Sequence, residues 1–299
     1  MTKGQKIALA VILSAPVIIG GILIALTSDS TVSGFSAISS KKIGQVEIND
    51  EIYSSDEYIR QLRELREDNS IAGVLLRIDS PGGAVAPSQE IYEEVMRFRE
   101  DKKPLVVSVG NMAASGGYYI ASPAGRIFAS PGSVTGSIGV IMSFTHYYKL
   151  LSKIGVDIEV MKAGELKDVG NPNRAMTPRE KIYMQSMLDD IHMQFIEDVS
   201  RARKIAIDSL IPIADGRIFT GRQAISARLI DTLGSYEDAL SYIKDITGVS
   251  RKSAVVEKKK PEGFLKRLLY EEVFDKIPFL KRAASPAGSY FLYDIPSIN

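Results

Sequence analysis

Short apolar runs alternate with helix-period runs along most of this chain. Ile43 to Ile48, Ala72 to Ile78 and Leu105 to Val109 are rich in β-branched residues, the pattern of strands covered on both faces. Ser54 to Glu67 places Tyr58, Ile59, Leu62 and Leu65 on one helical stripe, with Ser54 or Ser55 as candidate caps. Pro87 to Arg99 does the same with Ile91, Val95 and Phe98. Ile127 to Ala129, Ser137 to Met142 and Asp157 to Met161 read as further strands, and Phe144 to Ile154 as a helix. Thr177 to Arg203 reads as one long helix, because Thr177, Pro178 and Glu180 form a capping box with proline at the first position. Gly221 to Leu229 and Tyr236 to Ile246 complete the helices. Such alternation predicts an α/β domain built on a parallel sheet.

The two ends differ from this pattern. Ile7 to Leu26 is an uncharged run of 20 residues, interrupted by Ser14, Pro16, Gly20 and Gly21. At about 1.5 Å per residue it is long enough to cross a ~30 Å hydrocarbon core. Lys3 and Lys6 precede it and Asp29 follows it, which predicts a cytoplasmic N-terminus and an extracytoplasmic remainder in a single-pass cell-membrane protein. A cleaved signal peptide is the alternative; the length of the run and the lack of an Ala-x-Ala site weigh against it. The expected division is an anchor over 1–26, a linker over 27–41, a domain over 42–250, and a charged boundary with a mobile tail over 251–299.

Composition narrows the chemistry. The chain has 299 residues, 45% of them hydrophobic, and a net charge of +1, so nothing points to nucleic acid. It has no cysteine, which removes disulfides, thiol nucleophiles and cysteine-bound zinc. Its two histidines, His146 and His192, stand in no metal-ligand spacing, and no cofactor is expected.

The stretch Asn111-Met112-Ala113-Ala114-Ser115-Gly116-Gly117-Tyr118-Tyr119-Ile120 carries the strongest chemical signal. After a buried strand, a small-residue turn presents one serine, and two glycines open a helix. That geometry exposes a hydroxyl beside free backbone N–H groups able to hold an oxyanion. A serine needs a base. His192 lies in mid-helix and reads as a packing or surface residue, and His146 sits among aromatic residues at a helix start. A lysine is the other established partner, provided desolvation brings its neutral form within reach. The best-placed one lies in Met161-Lys162-Ala163-Gly164-Glu165-Leu166-Lys167-Asp168-Val169-Gly170-Asn171-Pro172, a segment that on its own reads as a surface loop with solvated lysines. Likewise Gly82-Gly83, alone, reads as a turn.

Together, Asp79-Ser80-Pro81-Gly82-Gly83, Met112 to Ala121, Gly132 to Val140, Gly164-Glu165-Leu166-Lys167-Asp168, Asp215 to Ala224 and Leu229 to Gly234 resemble the signal peptide peptidase A family, in its order, over roughly residues 42 to 248. The resemblance implies a Clp protease/crotonase-like α/β fold of repeated ββα units, preceded by one N-terminal transmembrane helix. It implies a serine endopeptidase with Ser115 as nucleophile and Lys167 as general base. Ser137 would orient the lysine, and the N–H groups of Gly83 and Gly116 would form the oxyanion hole. Peptide substrates, signal peptides and other apolar segments, and a ring- or dome-shaped homo-oligomer follow from it too. The dyad is then completed in cis or in trans, with trans favoured. Glu165 and Leu166 depart from the small or aromatic residues common before the lysine, which touches local loop contacts and substrate preference. Asp168, beside Lys167, either tunes it or faces solvent, and the latter is the reading favoured. The tail segment Tyr290-Phe291-Leu292-Tyr293 reads as a packing or disordered tail, or as a self-inhibitory segment reaching the active-site groove. The rivals are a stomatin-associated membrane serine protease of the same fold, a crotonase-like acyl-CoA enzyme and an inactive oligomeric scaffold.

Overall fold

The computed structural model describes residues 41–258 and 290–292. The candidate anchor over 7–26 lies outside them; among the described residues no helix is long and apolar enough to cross a membrane. The strands are β1 (Lys42–Asn49), β2 (Ile71–Ser80), β3 (Gly82–Ala84), β4 (Leu105–Ala114), β5 (Arg126–Ala129), β6 (Val134–Gly136), β7 (Ile218–Thr220), β8 (Thr232–Leu233), β9 (Val255–Lys258) and β10 (Tyr290–Leu292). The helices are α1 (Asp56–Glu67), α2 (Val85–Glu100), α3 (Gly116–Ala121), α4 (Tyr148–Lys153), α5 (Pro178–Arg203), α6 (Ile207–Leu210), α7 (Gly221–Ser226) and α8 (Tyr236–Thr247).

The central sheet runs β7-β6-β4-β2-β1-β9, with β5 also on β4 and β8 on β5. Every pairing in it is parallel except β6 with β7. Both faces are covered, which explains the continuous apolar runs. Val74, Leu76 and Ile78 of β2 join the core formed with Leu62 and Leu65 of α1, Phe98 of α2 and Phe195 of α5. Leu75 faces the other way, toward Ile43, Val106, Phe128 and Ile243. Burying Tyr58, Leu62 and Leu65 fixes α1 with about 1.5–3 kcal/mol each. The helical boundaries of α5 and its capping box form as the sequence predicts. The charged stretch after α8 carries β9, which extends the sheet beside β1.

β4 holds the feature that builds the site. Its first half, Val106 to Ser108, pairs with β5, and its last three residues, Met112 to Ala114, pair with β6. Two extra residues lie between, because Ile78 and Ser80 of β2 face Val109 and Ala113. Asp79 fills this bulge: its Oδ1 accepts the Met112 N–H at 3.1 Å, and a Cβ at Gly110 would lie 2.7 Å from its carboxylate. The re-aimed end of β4 delivers the next residue, Ser115, to the start of α3.

Four local expectations change. The strand expected over Ser137 to Met142 forms earlier, as β6, since Ser137 turns left-handed (φ 53°) and its N–H leaves the sheet for the Arg217 carbonyl. The helix expected over Phe144 to Ile154 shrinks to α4. No strand forms over Asp157 to Met161. Val156, Ile158, Val160 and Met161 are all exposed there, so among the described residues no layer covers the alternating pattern. Ser55 occupies the cap position of α1 without capping; its hydroxyl donates instead to Glu90.

Candidate active site

Ser115 sits at the sharp junction of β4 and α3 with φ 52° and ψ −118°, a conformation that costs a non-glycine residue about 1–3 kcal/mol. Three features over-determine it. Its N–H donates to the Gly136 carbonyl at 2.8 Å, its carbonyl accepts the Tyr119 N–H at 2.8 Å, and α3 is buried along its whole length. Tyr118 donates to the Leu229 carbonyl and Tyr119 to Asp198, anchoring the helix on two other elements. The side chain so held is fully buried, and its Oγ has no hydrogen-bond partner among the described residues. A buried hydroxyl left unpaired costs about 1–3 kcal/mol, so it marks a place where stability yields to another requirement.

Ser137 is brought to this point. Ala114 faces Gly136 across the β4–β6 ladder, so the residues that follow, Ser115 and Ser137, leave the sheet side by side. Gly136 (φ 81°) and Ser137 form a left-handed pair, and a Cβ at Gly136 would lie 2.6 Å from the Phe219 ring. Behind them, the Ile138 carbonyl accepts from Gly216 N–H and lies 3.1 Å from His192 Nε2, which also meets the Ala214 carbonyl at 2.7 Å. His192 is thus a packing residue. His146 is exposed, against Tyr148.

The glycine strand β3 lies against α3. Gly82 has φ 110°, and a Cβ on Gly83 would fall 2.1 Å from the Ile52 carbonyl oxygen. Ile52 N–H donates to the Gly82 carbonyl and its carbonyl accepts from Ala84, pinning the strand from one side. The glycines therefore meet a demand of the chain itself. On β3 lies β10, antiparallel, with Phe291 opposite Gly83 and Leu292 opposite Gly82; β10 also touches α2 and α3.

Lys167 stands apart from all this. Its side chain is exposed and makes no hydrogen bond or ion pair among the described residues. No hydrogen bond links it to Ser115 among the described residues. Its loop is nonetheless ordered by its own contacts: Lys167 N–H to Gly164 O, Val169 N–H to Leu166 O, Asn171 N–H to Asp168 O and Tyr147 N–H to Pro172 O. Gly170 (φ 78°) lies under Phe144, where a Cβ would come within 2.5 Å of the ring. Asp168 does not face solvent as expected. Its side chain is only 12% exposed and accepts from Lys162 and, twice, from Arg174. Sequence reasoning passed over Arg174 and gave Asp79 no role of its own; each acts through contacts that no local spacing reveals. Among the described residues no cluster of side chains is suited to a metal ion.

The family model for peptidase family S49 matches residues 97–250, and that for Clp protease matches residues 32–133. A putative protease of Methanocaldococcus jannaschii is 41% identical over 198 residues, 66% of this chain and 63% of that protein. A putative protease of Synechocystis is 39% identical over 217 residues, 72% of this chain and 78% of its own. A putative signal peptide peptidase of Enterococcus faecium is 35% identical over 214 residues, 72% of this chain and 62% of the relative. The chain thus spans less than two thirds of the first and third of these relatives. The first family match takes in the elbow at Ser115, the turn at Ser137 and the loop of Lys167, and spans more than half of the sequence. This mixed α/β chain belongs to peptidase family S49.

Proposed function

We propose that the protein is a membrane-anchored serine endopeptidase that cleaves signal peptides and other apolar segments with Ser115 and Lys167. One observation carries the reading: a serine held in a strained, fully buried elbow whose Oγ has no hydrogen-bond partner among the described residues. The base comes from a second copy. Lys167 is exposed, and the stretch leading to it displays Ile141, Leu150, Ile154, Val156, Ile158, Val160 and Met161 to the outside, apolar surface suited to a neighbouring subunit of a ring or dome.

In this reading neutral Lys167 takes the proton from Ser115 Oγ as the oxygen attacks the peptide carbonyl carbon. The N–H groups of Gly83 and Gly116 hold the oxyanion, and Ser137 orients the lysine. The lysine then gives the proton to the departing amine, leaving an ester on Ser115 that water hydrolyses. β3 supports the peptide class of substrate, since it already takes an extended segment, β10, as an antiparallel partner. The same pairing supports a self-inhibitory tail.

Intact-mass analysis after incubation with a fluorophosphonate tests this. Stoichiometric labelling of the wild type at Ser115, with none in Ser115→Ala or Lys167→Ala, is the expected result, and a chain ending at Arg282 labels faster. Turnover rises toward alkaline pH, where the lysine is neutral. An unlabelled folded wild type, or a rate maximum near pH 5, overturns the reading.

A further inference from the structure

Resting on the reading of Lys167 as the base, we propose that Arg174 is a positioning residue that locks the direction of Lys167 by tying Asp168 to the start of α5. The exposed base makes no side-chain hydrogen bond or ion pair among the described residues, so its aim depends on the backbone beside it. Asp168, the next residue, is where that backbone is gripped. Arg174 Nε donates to Asp168 Oδ2 at 2.9 Å, and Nη2 donates to Asp168 Oδ1 at 2.8 Å and to its carbonyl oxygen at 3.2 Å. The other edge of the same guanidinium turns to Glu180, with Nη1 to Oε2 at 2.7 Å. Glu180 is itself fixed: its side chain is 4% exposed, and its Oε2 accepts the Thr177 N–H at 2.8 Å within the capping box. The chain of contacts therefore runs from the rigid end of a 26-residue helix, through one planar cation, to the residue adjoining the base.

The charges facing this cluster come from the loop and from α5. Lys162 donates to Asp168 and to the Glu165 carbonyl, and Arg179 pairs with Glu165. Lys162 and Arg174 balance Asp168 and Glu180, so the cluster is neutral in net charge. A guanidinium suits the task because its planar fork holds two carboxylates in a fixed mutual orientation, whereas an ammonium is a rotating point charge.

The test uses the full-length assembled protein, with Lys167→Ala as reference. Asp168→Asn, Arg174→Gln and Arg174→Lys each lower kcat about 10–100-fold while KM stays within about 2-fold, since a misaimed base loses the transition state and not the substrate. Arg174→Lys restores no more than a small part. The alkaline rise in rate moves to lower pH in Asp168→Asn, which removes a negative neighbour, and to higher pH in Arg174→Gln, which removes a positive one. A general loosening of the fold would not shift two profiles in opposite directions. If Arg174→Gln fails to assemble, Asp168→Asn, which keeps the helix cap intact, decides. Wild-type kcat and pH profiles in the folded variants, with Lys167→Ala inactive, overturn the lock alone. Activity retained in Lys167→Ala overturns the assignment of the base on which the lock rests.

Discussion

The nucleophile elbow and the lysine loop serve one proposed reaction and are built in opposite ways. Ser115 is buried, strained and held by bonds from β6 and from its own helix. Lys167 is exposed, and its loop is steadied by turns, a glycine under Phe144 and one ion-pair cluster. The elbow draws its rigidity from the core of its own chain. The loop has local order without a core, and the apolar surface next to it faces outward. A half-site that is rigid and complete beside one that is ordered and uncovered is what a shared site between identical subunits requires.

Mixing two dead variants tests this division with the largest effect. Ser115→Ala and Lys167→Ala each lose all measurable cleavage. Co-assembled in equal amounts, they recover about a quarter of wild-type activity, because random neighbours place an intact serine beside an intact lysine at one site in four. No recovery in a confirmed mixed oligomer would place both groups in one chain and end the contrast between the two regions.

A smaller effect separates the two by strain. Removing the Cβ at Ser115 relieves the positive φ, worth about 1–3 kcal/mol, against about 0.4–1 kcal/mol for the greater freedom of unfolded glycine. Ser115→Gly is therefore more stable than Ser115→Ala by about 1 kcal/mol, or roughly 2–4 °C in Tm for a domain of this size. Lys167→Ala, at an exposed position, stays within about 0.5 kcal/mol of the wild type. Equal melting of the glycine and alanine variants would show that the elbow carries no strain.

How far the sequence discloses this follows the same line. The strands of the core are legible because a covered sheet needs unbroken apolar runs, as in Val74 to Ile78, and α5 announces itself through Thr177, Pro178 and Glu180. Ser115 stands out because small residues and glycines must surround an elbow. Three things are hidden. The boundary of β6 depends on Ser137 turning left-handed, which a serine does only when its surroundings compel it. Val156, Ile158 and Val160 alternate as a strand should, yet alternation reports a surface to be covered without saying whose chain covers it. The role of Arg174 depends on two carboxylates, one on either side of it in sequence, that meet only when the loop folds onto the helix start.

Acid distinguishes the regions last and most gently. In the folded protein Glu180 is held below its ordinary 4.5, down to about 2, chiefly by the Arg174 guanidinium and then by the Thr177 N–H. Asp168 is likewise held well below the carboxylate range by Arg174 and then Lys162. Groups depressed in this way favour the folded loop fully above the ordinary carboxylate range and lose that contribution as pH falls toward about 2. The elbow is held first by the backbone bonds of Ser115 to Gly136 and Tyr119, indifferent to pH in this range, with only single carboxylates behind them, Asp79 at Met112 and Asp198 at Tyr119. Brief digestion with pepsin at stepped acid pH should therefore cut between residues 162 and 177 before any site between 105 and 121. The cut should grow as pH drops through that interval. First cleavage within β4 or α3 would mean that the lysine loop owes its order to something other than these ion pairs.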